Sequence, residues 1–594
     1  MTEATITRQP QTEETQAKLF YEVSFPEPQT HLFYVKLQVQ DWKDNLLKMQ
    51  FPVWTPGSYL VREYARHIQQ MRAYNSENQE NLTLEKLSKN CWQINTETAE
   101  AITIEYQVYG NELTVRTNHL DATHAYFNGA ALFFDSIDLE TTPIEVKIIP
   151  PANDWKITTP LPPVAGKTNT FLANDFDTLV DSPFEIGTHE IYDFEVSEKP
   201  HQLAIWGRGN ANPQEIIQDI KKIIIAEAKI YRELPYDHYI FLLHQSASGF
   251  GGLEHKNCCS LIYPRFGFRS EEKYNRFMQL VAHEFFHLWN VKRIRPKALE
   301  NFDYSQENYT TALWFAEGTT SYYDALLPMR AGIYDARTCL DNLGKDITRF
   351  LQTPGRKVQP LAESSFDAWI KLYRRDANSD NNQISYYLKG ELVSLLLDLL
   401  IRTKHKNQRS MDDVLLQLWK QFGQPEIGYT DEQLKSVLES VADTDLTEFL
   451  NTYLHTTTEL PLADYLQPFG LQLLPTEEDD SAPYLGMRVA QENNATMIKF
   501  VDAESPAGLA GIDAGDELLA IDGIRVNADQ INDRAKDYQP GDTINLTIFH
   551  QDQLVNYPIT LASPQPSSYK ITSVDEPSEE QKELLFGWLN VTTV

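Results

Sequence analysis

From Lys18 to about Glu198 the apolar residues recur in short β-prone runs, among them Leu32–Val39, Ile102–Val108 and Ile144–Ile149. Turn signals at Pro56-Gly57 and Pro150-Pro151 separate such runs, and no long segment carries the 3.6-residue period of a helix. This texture predicts a β-sandwich-like domain over residues 18–198, preceded by a polar, aperiodic and disordered arm over residues 1–17. The pattern changes after Trp206. Asn212-Pro213 reads as an N-cap and first-turn proline, with a helical stripe of Ile216, Ile217, Ile220, Ile223 and Ile224 behind it. A strand-like run, Tyr239–Leu243, and a glycine-rich stretch, GFGGLEHKN, follow. Helical periodicity then dominates at Tyr274–Trp289, Thr311–Arg330, Leu388–Arg402, Met411–Phe422 and Asp431–Ala442. Residues 199–470 therefore read as a mainly helical domain entered through a small sheet. Alternation returns in LGMRVA, MIKFVD, ELLAIDG and INLTIFH, which predicts a compact β-rich module over residues 471–563. The PSS and EPSEE segments beyond it read as a linker and a loosely held acidic extension, residues 564–594. The fold class expected is multidomain α+β.

Charge narrows the function classes. The 594 residues hold 52 Lys and Arg against 84 Asp and Glu, a net −32 that repels phosphate backbones and anionic lipid. Nucleic-acid and membrane-surface roles are disfavoured. From Glu477 onward 21 acidic residues face 7 basic ones, so the C-terminal fifth carries nearly half of that charge. Four cysteines without a C-x-x-C pair make no disulfide framework, and adjacent Cys258 and Cys259 read as core residues of a strand. The N-terminus has neither a basic n-region nor an apolar h-region, and the apolar run Val393–Ile401 is too short to span a bilayer and contains Asp398. The location expected is cytoplasmic.

The chemistry is concentrated in Leu280-Val-Ala-His-Glu-Phe-Phe-His-Leu-Trp289. His283 and His287 are four apart, so on a helix they lie about 40° from each other on one face. Both imidazoles can then reach one tetrahedral Zn²⁺, with Glu284 placed to take a proton from a metal-activated water. Downstream, Glu317 in LWFAEGTTSYY is suited to be the third ligand, and His, His and Glu leave an open position, the arrangement of catalytic zinc. Ser321 and Asp324 are both candidate partners for the ligand imidazoles, and the spacing does not choose between them. Lys292, Arg293 and Arg295 read as local pairing at the helix C-terminus, and the remaining histidines show no ligand spacing.

These stretches resemble a known group. HEFFHLWNVKRIRP followed by LWFAEGTTSYY is similar to the glycyl aminopeptidase family of zinc metallopeptidases, one of the gluzincins. WTPGSYLVREYARH (Trp54–His67) is similar to the signature of that family's N-terminal β-domain. The resemblance implies a thermolysin-like catalytic domain, one Zn²⁺ per chain on His283, His287 and Glu317, a C-terminal PDZ domain, and peptides with small N-terminal residues, Gly or Ala, as substrates. Gly251-Gly252-Leu-Glu254-His255 resembles the G-A-M-E-N segment of alanyl-aminopeptidase-like relatives, which implies that Glu254 receives the substrate's α-ammonium. Leu253 and His255 depart from that pattern. Tyr387-Leu-Lys-Gly390 resembles their Y-x-K-G segment, which implies oxyanion stabilisation by Tyr387, with Tyr386 one residue away as its rival. The gap from His287 to Glu317 exceeds that of the alanyl group, so Val291–Tyr309 is expected to loop out. Tyr484-Leu485-Gly486-Met487 resembles a PDZ carboxylate-binding loop, implying that the amides of Leu485, Gly486 and Met487 face a peptide's C-terminus, unless the module only docks on its neighbour. Two other readings are open: a zinc endopeptidase whose PDZ domain selects substrates, and a non-catalytic peptide-binding scaffold.

Overall fold

Strand Leu32–Gln40 buries every second residue, with Phe33, Val35, Leu37 and Val39 inward, and the same alternation runs through Leu46–Gln50 and Ile144–Ile149. The computed structural model describes residues 18–136, 142–476 and 482–594; the arm expected at 1–17 lies outside the described residues. The chain forms two compact units. One comprises residues up to Ile217 with Pro235–Phe277 and Asn301–Asn308; the other comprises Gln218–Leu234, Met278–Glu300 and Tyr309–Val594.

The first unit is β-rich. Its six-stranded sheet has the order Thr170–Ala173, Ile144–Ile149, Lys18–Ser24, Leu32–Gln40, Ala101–Tyr109, Ile68–Asn75. Two four-stranded sheets accompany it, one of them ordered Lys156–Thr158, Phe184–Gly187, His124–Phe127, His119–Asp121. A five-stranded sheet follows, ordered Glu190–Val196, Lys199–Trp206, Tyr239–Ser246, Cys258–Pro264, Gly251–Glu254. Its middle strands run parallel, and Tyr239–Ser246 is buried at every position, which is why it reads as a continuous apolar run. Gly251–Glu254 pairs antiparallel to Cys258–Pro264 and forms an edge of the sheet. None of the four cysteines is in a disulfide.

The second unit is helical apart from its C-terminal module. Among its helices are Thr320–Arg330, Ala336–Leu351, Tyr386–His405, Met411–Leu418 and Asp431–Ala442, the last two opened by capping boxes from Ser410 and Thr430. The PDZ-type sheet is ordered Met487–Glu492, Ala495–Val501, Glu517–Ile521, Thr543–His550, Gln553–Thr560 around a core that includes Ile498, Leu518, Ile544 and Ile548. No described helix is long and apolar enough to cross a membrane.

Two expectations need correction. Residues 471–476 do not join the PDZ sheet; strand Leu471–Thr476 pairs with Ser568–Ser573 instead. The acidic extension is not loose. After that strand it forms helix Glu579–Leu589, capped by Ser578 and Gln581, and buries Leu584, Leu585, Trp588 and Leu589. Trp588 packs edge-on to Phe469 and donates from Nε1 to the Tyr322 hydroxyl at 3.1 Å. Composition hid this because the apolar stripe is only a few residues inside an acidic, proline-bearing segment. Trp588→Ala should destabilise the helical unit by about 3–5 kcal/mol, read by urea unfolding; a tail without structural duty would leave the transition in place.

Candidate metal centre

Helix Glu271–Phe286 starts with Glu271 and Glu272 at its positive end and buries Phe277, Met278, Val281, Ala282, Phe285 and Phe286 completely. The remaining face carries His283, Glu284 and, just past the last helical residue, His287. Glu284 and His287 are buried. The Nε2 atoms of His283 and His287 lie 3.5 and 3.2 Å from Glu317 Oε2. Ligands held at 2.0–2.2 Å around a tetrahedral ion are separated by roughly 3.4 Å, so the three side chains fit one zinc.

The other nitrogen of each ring explains why. His283 Nδ1 sits 2.8 Å from Asp324 Oδ2, and His287 Nδ1 sits 2.7 Å from the Asn290 carbonyl. Both partners are pure acceptors, so each Nδ1 donates and each Nε2 is left facing the Glu317 carboxylate, where it can hold a proton or a metal ion. Such an assembly calls for a cation. Burial disfavours a charged His283, yet hydrogen bonds to Asp324 and Glu317 carry its pKa well above the usual value. Burial likewise opposes ionisation of Glu317, and the neighbouring histidines, His287 foremost, outweigh it and bring its pKa down to about 2. Of the two candidate partners for the imidazoles, the structure places Asp324 against His283.

Glu317 stands in a π-helical turn, Trp314–Thr319, rather than the uniform helix its sequence suggests. Asn290 Nδ2 lies 3.1 Å from the carbonyls of Phe315 and Ala316 and from Thr320 Oγ1, holding the widened turn. Helix Tyr386–His405 packs against this turn backbone to backbone. A Cβ on Gly318 would come within 2.5 Å of Gly390 Cα, and one on Gly390 within 2.5 Å of the Trp314 carbonyl oxygen. Gly390 is thus the reason the Y-L-K-G segment ends in glycine. The same helix brings the Tyr387 ring to 6.2 Å from that of His283. Tyr386 stacks on Tyr387 at 4.7 Å, and the Tyr373 hydroxyl lies 3.1 Å from that of Tyr386 and 2.9 Å from that of Tyr387. Burial, then the Glu317 charge, holds the Tyr387 phenol protonated. Tyr373 carries no motif of its own, and Asn290, though inside HEFFHLWNVKRIRP, has a role that only the fold reveals. Arg293 caps the helix end through Leu288 O at 2.9 Å, as its position suggests.

Within the first unit, Glu254 is buried and its Oε1 has no hydrogen-bond partner. Gly57 lies directly over it: a Cβ there would stand 2.4 Å from Oε1, and the turn has φ +82°, so only glycine serves. Arg116 donates to the Gly252 carbonyl at 2.9 Å, beside Gly251. His255 is occupied with Asp181, 3.2 Å away. In the PDZ-type module Gly486 has φ +79°, and a Cβ would overlap Ser505. The Leu485 and Gly486 carbonyls accept from Ala507 and Asp502, and Met487 opens the edge strand Met487–Glu492. The loop borders a cleft of about 450 Å³ to which Arg356 and Lys357 also contribute. The module is docked as well: Arg488 pairs with Asp380, and Asn381 Nδ2 donates to the Val501 carbonyl at 2.9 Å.

The chain is similar to known proteins along most of its length. Residues 20–188 match the Peptidase M61 N-terminal domain, residues 276–393 the M61 glycyl aminopeptidase model and residues 483–561 a PDZ domain. A crystal structure of an aminopeptidase N family protein from Idiomarina loihiensis is 32% identical, with a TM-score of 0.90 over 96% of this chain and 100% of that one. The chain belongs to the M61 glycyl aminopeptidase family. An M1 zinc metallopeptidase from Deinococcus radiodurans is similar at 12% identity and a TM-score of 0.47, over 76% of this chain and 96% of its own. Its mutant bound to a Tyr-Ser-Ala substrate matches at 13% identity and a TM-score of 0.46, over 75% and 95%. No match was found among the curated proteins. In this M61 chain the long gap after His287 is put to use: its residues Asn301–Asn308 belong to the β-rich unit, where Trp54 donates to the Asp303 carbonyl at 2.8 Å and Tyr304 to Asp177 at 2.6 Å.

Two outcomes follow from the site. Asp324→Ala should lower zinc affinity about 10–100-fold in a chelator competition, because His283 loses the acceptor that orients it. Lys389, buried beside Gly390, is lowered to about 8, by burial against the weaker pull of Glu459. Its folded pKa lies below the unfolded one, so the charged form costs stability fully below pH 8, by about 3 kcal/mol, and the penalty fades toward pH 10.5. Lys389→Met should therefore raise the melting temperature at pH 7, with a gain that shrinks between pH 8 and 10.5.

Proposed function

We propose that this M61 chain is a zinc aminopeptidase that removes small N-terminal residues, Gly or Ala, from peptides. The observation that carries the reading is the pair of Nε2 atoms turned on Glu317 by Asp324 and the Asn290 carbonyl. Bound by His283, His287 and Glu317, zinc would supply a Lewis acid for the scissile carbonyl and lower the pKa of water toward about 7. Glu284 takes the proton of the attacking water and passes it to the leaving amine. Tyr387, kept protonated by burial, donates to the oxyanion as it forms; Tyr386 stands behind it and steadies its ring. Glu254 offers its unpartnered, buried Oε1 to the substrate's α-ammonium. The edge strand Gly251–Glu254, with Gly251 and Gly252 at its start, is where a peptide extends the sheet, the Gly252 carbonyl being held by Arg116. At the PDZ module, the amides of Leu485, Gly486 and Met487 receive a peptide carboxylate, with Arg356 and Lys357 adding positive charge to the cleft.

Glu284→Gln should abolish turnover while leaving the metal content unchanged, and His287→Ala should remove one equivalent of zinc. Gly- and Ala-initiated peptides should be cleaved and their N-acetylated forms spared. Equal cleavage of blocked peptides would remove the role of Glu254 and make the enzyme an endopeptidase.

A further inference from the structure

Four of the histidines that lack ligand spacing in the sequence, His119, His124, His189 and His244, are brought together by the β-rich unit. His124 on strand His124–Phe127, Glu185 on the adjacent strand Phe184–Gly187 and His244 on strand Tyr239–Ser246 converge from two different sheets. Their ligating atoms all lie within 4.8 Å of one another. Glu185 is 1% exposed and both imidazoles 0%. Glu185 Oε1 stands 2.8 Å from His124 Nε2, and Oε2 stands 2.8 Å from His244 Nε2. The second contact is a hydrogen bond; the first lacks hydrogen-bond geometry, and both of its atoms are left without a partner.

Three features surround this set in the manner of a ligand shell. His189 Nδ1, 3.8 Å from Glu185 Oε1, is buried without a partner while its Nε2 is held by Thr158 at 2.8 Å. His124 Nδ1 is anchored 3.0 Å from His119 Nδ1, the second-nitrogen support that orients a metal-bound imidazole. Trp206 stacks on the His124 ring at 3.9 Å and shuts out water. No lysine or arginine lies within 4.0 Å of the Glu185 carboxylate among the described residues; its ion-pair partners are all histidines. A buried carboxylate facing only imidazoles needs a cation, and nitrogen-rich donors suit a divalent transition ion.

We infer that His124, Glu185 and His244 bind a second divalent transition-metal ion, with His189 beside them. The site is fully buried and drawn from two sheets, so its duty is to fasten those sheets rather than to carry out chemistry. The inference does not rest on the peptidase reading.

Zinc is the probe. The full chain is loaded with Zn²⁺, desalted and counted by elemental analysis, as wild type, as His287→Ala/Glu317→Ala and as His244→Gln. Two equivalents in the wild type, one after His287→Ala/Glu317→Ala and one after His244→Gln are expected. The count of the first two proteins decides the matter even where His244→Gln fails to fold. A wild type with a single equivalent that His287→Ala/Glu317→Ala removes entirely overturns the inference and leaves the cluster a hydrogen-bonded His–Glu core. A zinc equivalent that survives in His287→Ala/Glu317→Ala and is lost on His244→Gln supports it, whatever the fate of the catalytic site.

Discussion

The arrangement on which the helical unit turns is the convergence of two imidazoles on one buried carboxylate. Each imidazole donates from Nδ1 to a fixed acceptor and turns Nε2 toward Glu317. The buried carboxylate needs positive charge there, a proton on the imidazoles or a metal ion, because the interior has a low dielectric. Everything nearby serves to keep it from relaxing. Asn290 grips the π-turn of Glu317, and Gly318 and Gly390 let helix Tyr386–His405 press on that turn without side chains between them.

The same logic recurs with different means at Glu254 and in the His–Glu cluster. Glu254 is buried under a glycine turn with one oxygen unmatched, and Glu185 faces imidazoles alone. Three buried carboxylates are thus left to be neutralised from outside the chain or by histidine. The overall charge of −32 sets no such site by itself; it keeps the molecule repelled from polyanions, while the local orphan oxygens do the selecting.

The part of the site that sequence made legible is local. The pair His283 and His287 could be read because four residues make one helical turn, and Tyr387 and Gly390 because they share a helix. The roles of Asn290 and Tyr373 could not, since each acts through a tertiary contact, Asn290 from inside a motif and Tyr373 from outside any. The choice of Asp324 over Ser321 is a matter of which side chain a π-turn and the following helix rotate toward His283. The C-terminal helix was missed for a different reason: its few apolar residues gain their value only from Phe469 and Tyr322, far away in the chain.

By itself the sequence determined the order of β-rich, helical and PDZ-type segments, because period and turn chemistry are local properties of the chain. It also determined the HExxH pair and its downstream glutamate, since ligand spacing on a helix is set by backbone geometry. Only the tertiary structure decided which nitrogen of each histidine faces Glu317, which glycines allow backbone contact, and that His124, Glu185 and His244 meet at all. Those outcomes depend on strands and helices distant in sequence, whose approach is governed by packing, and no local pattern records it.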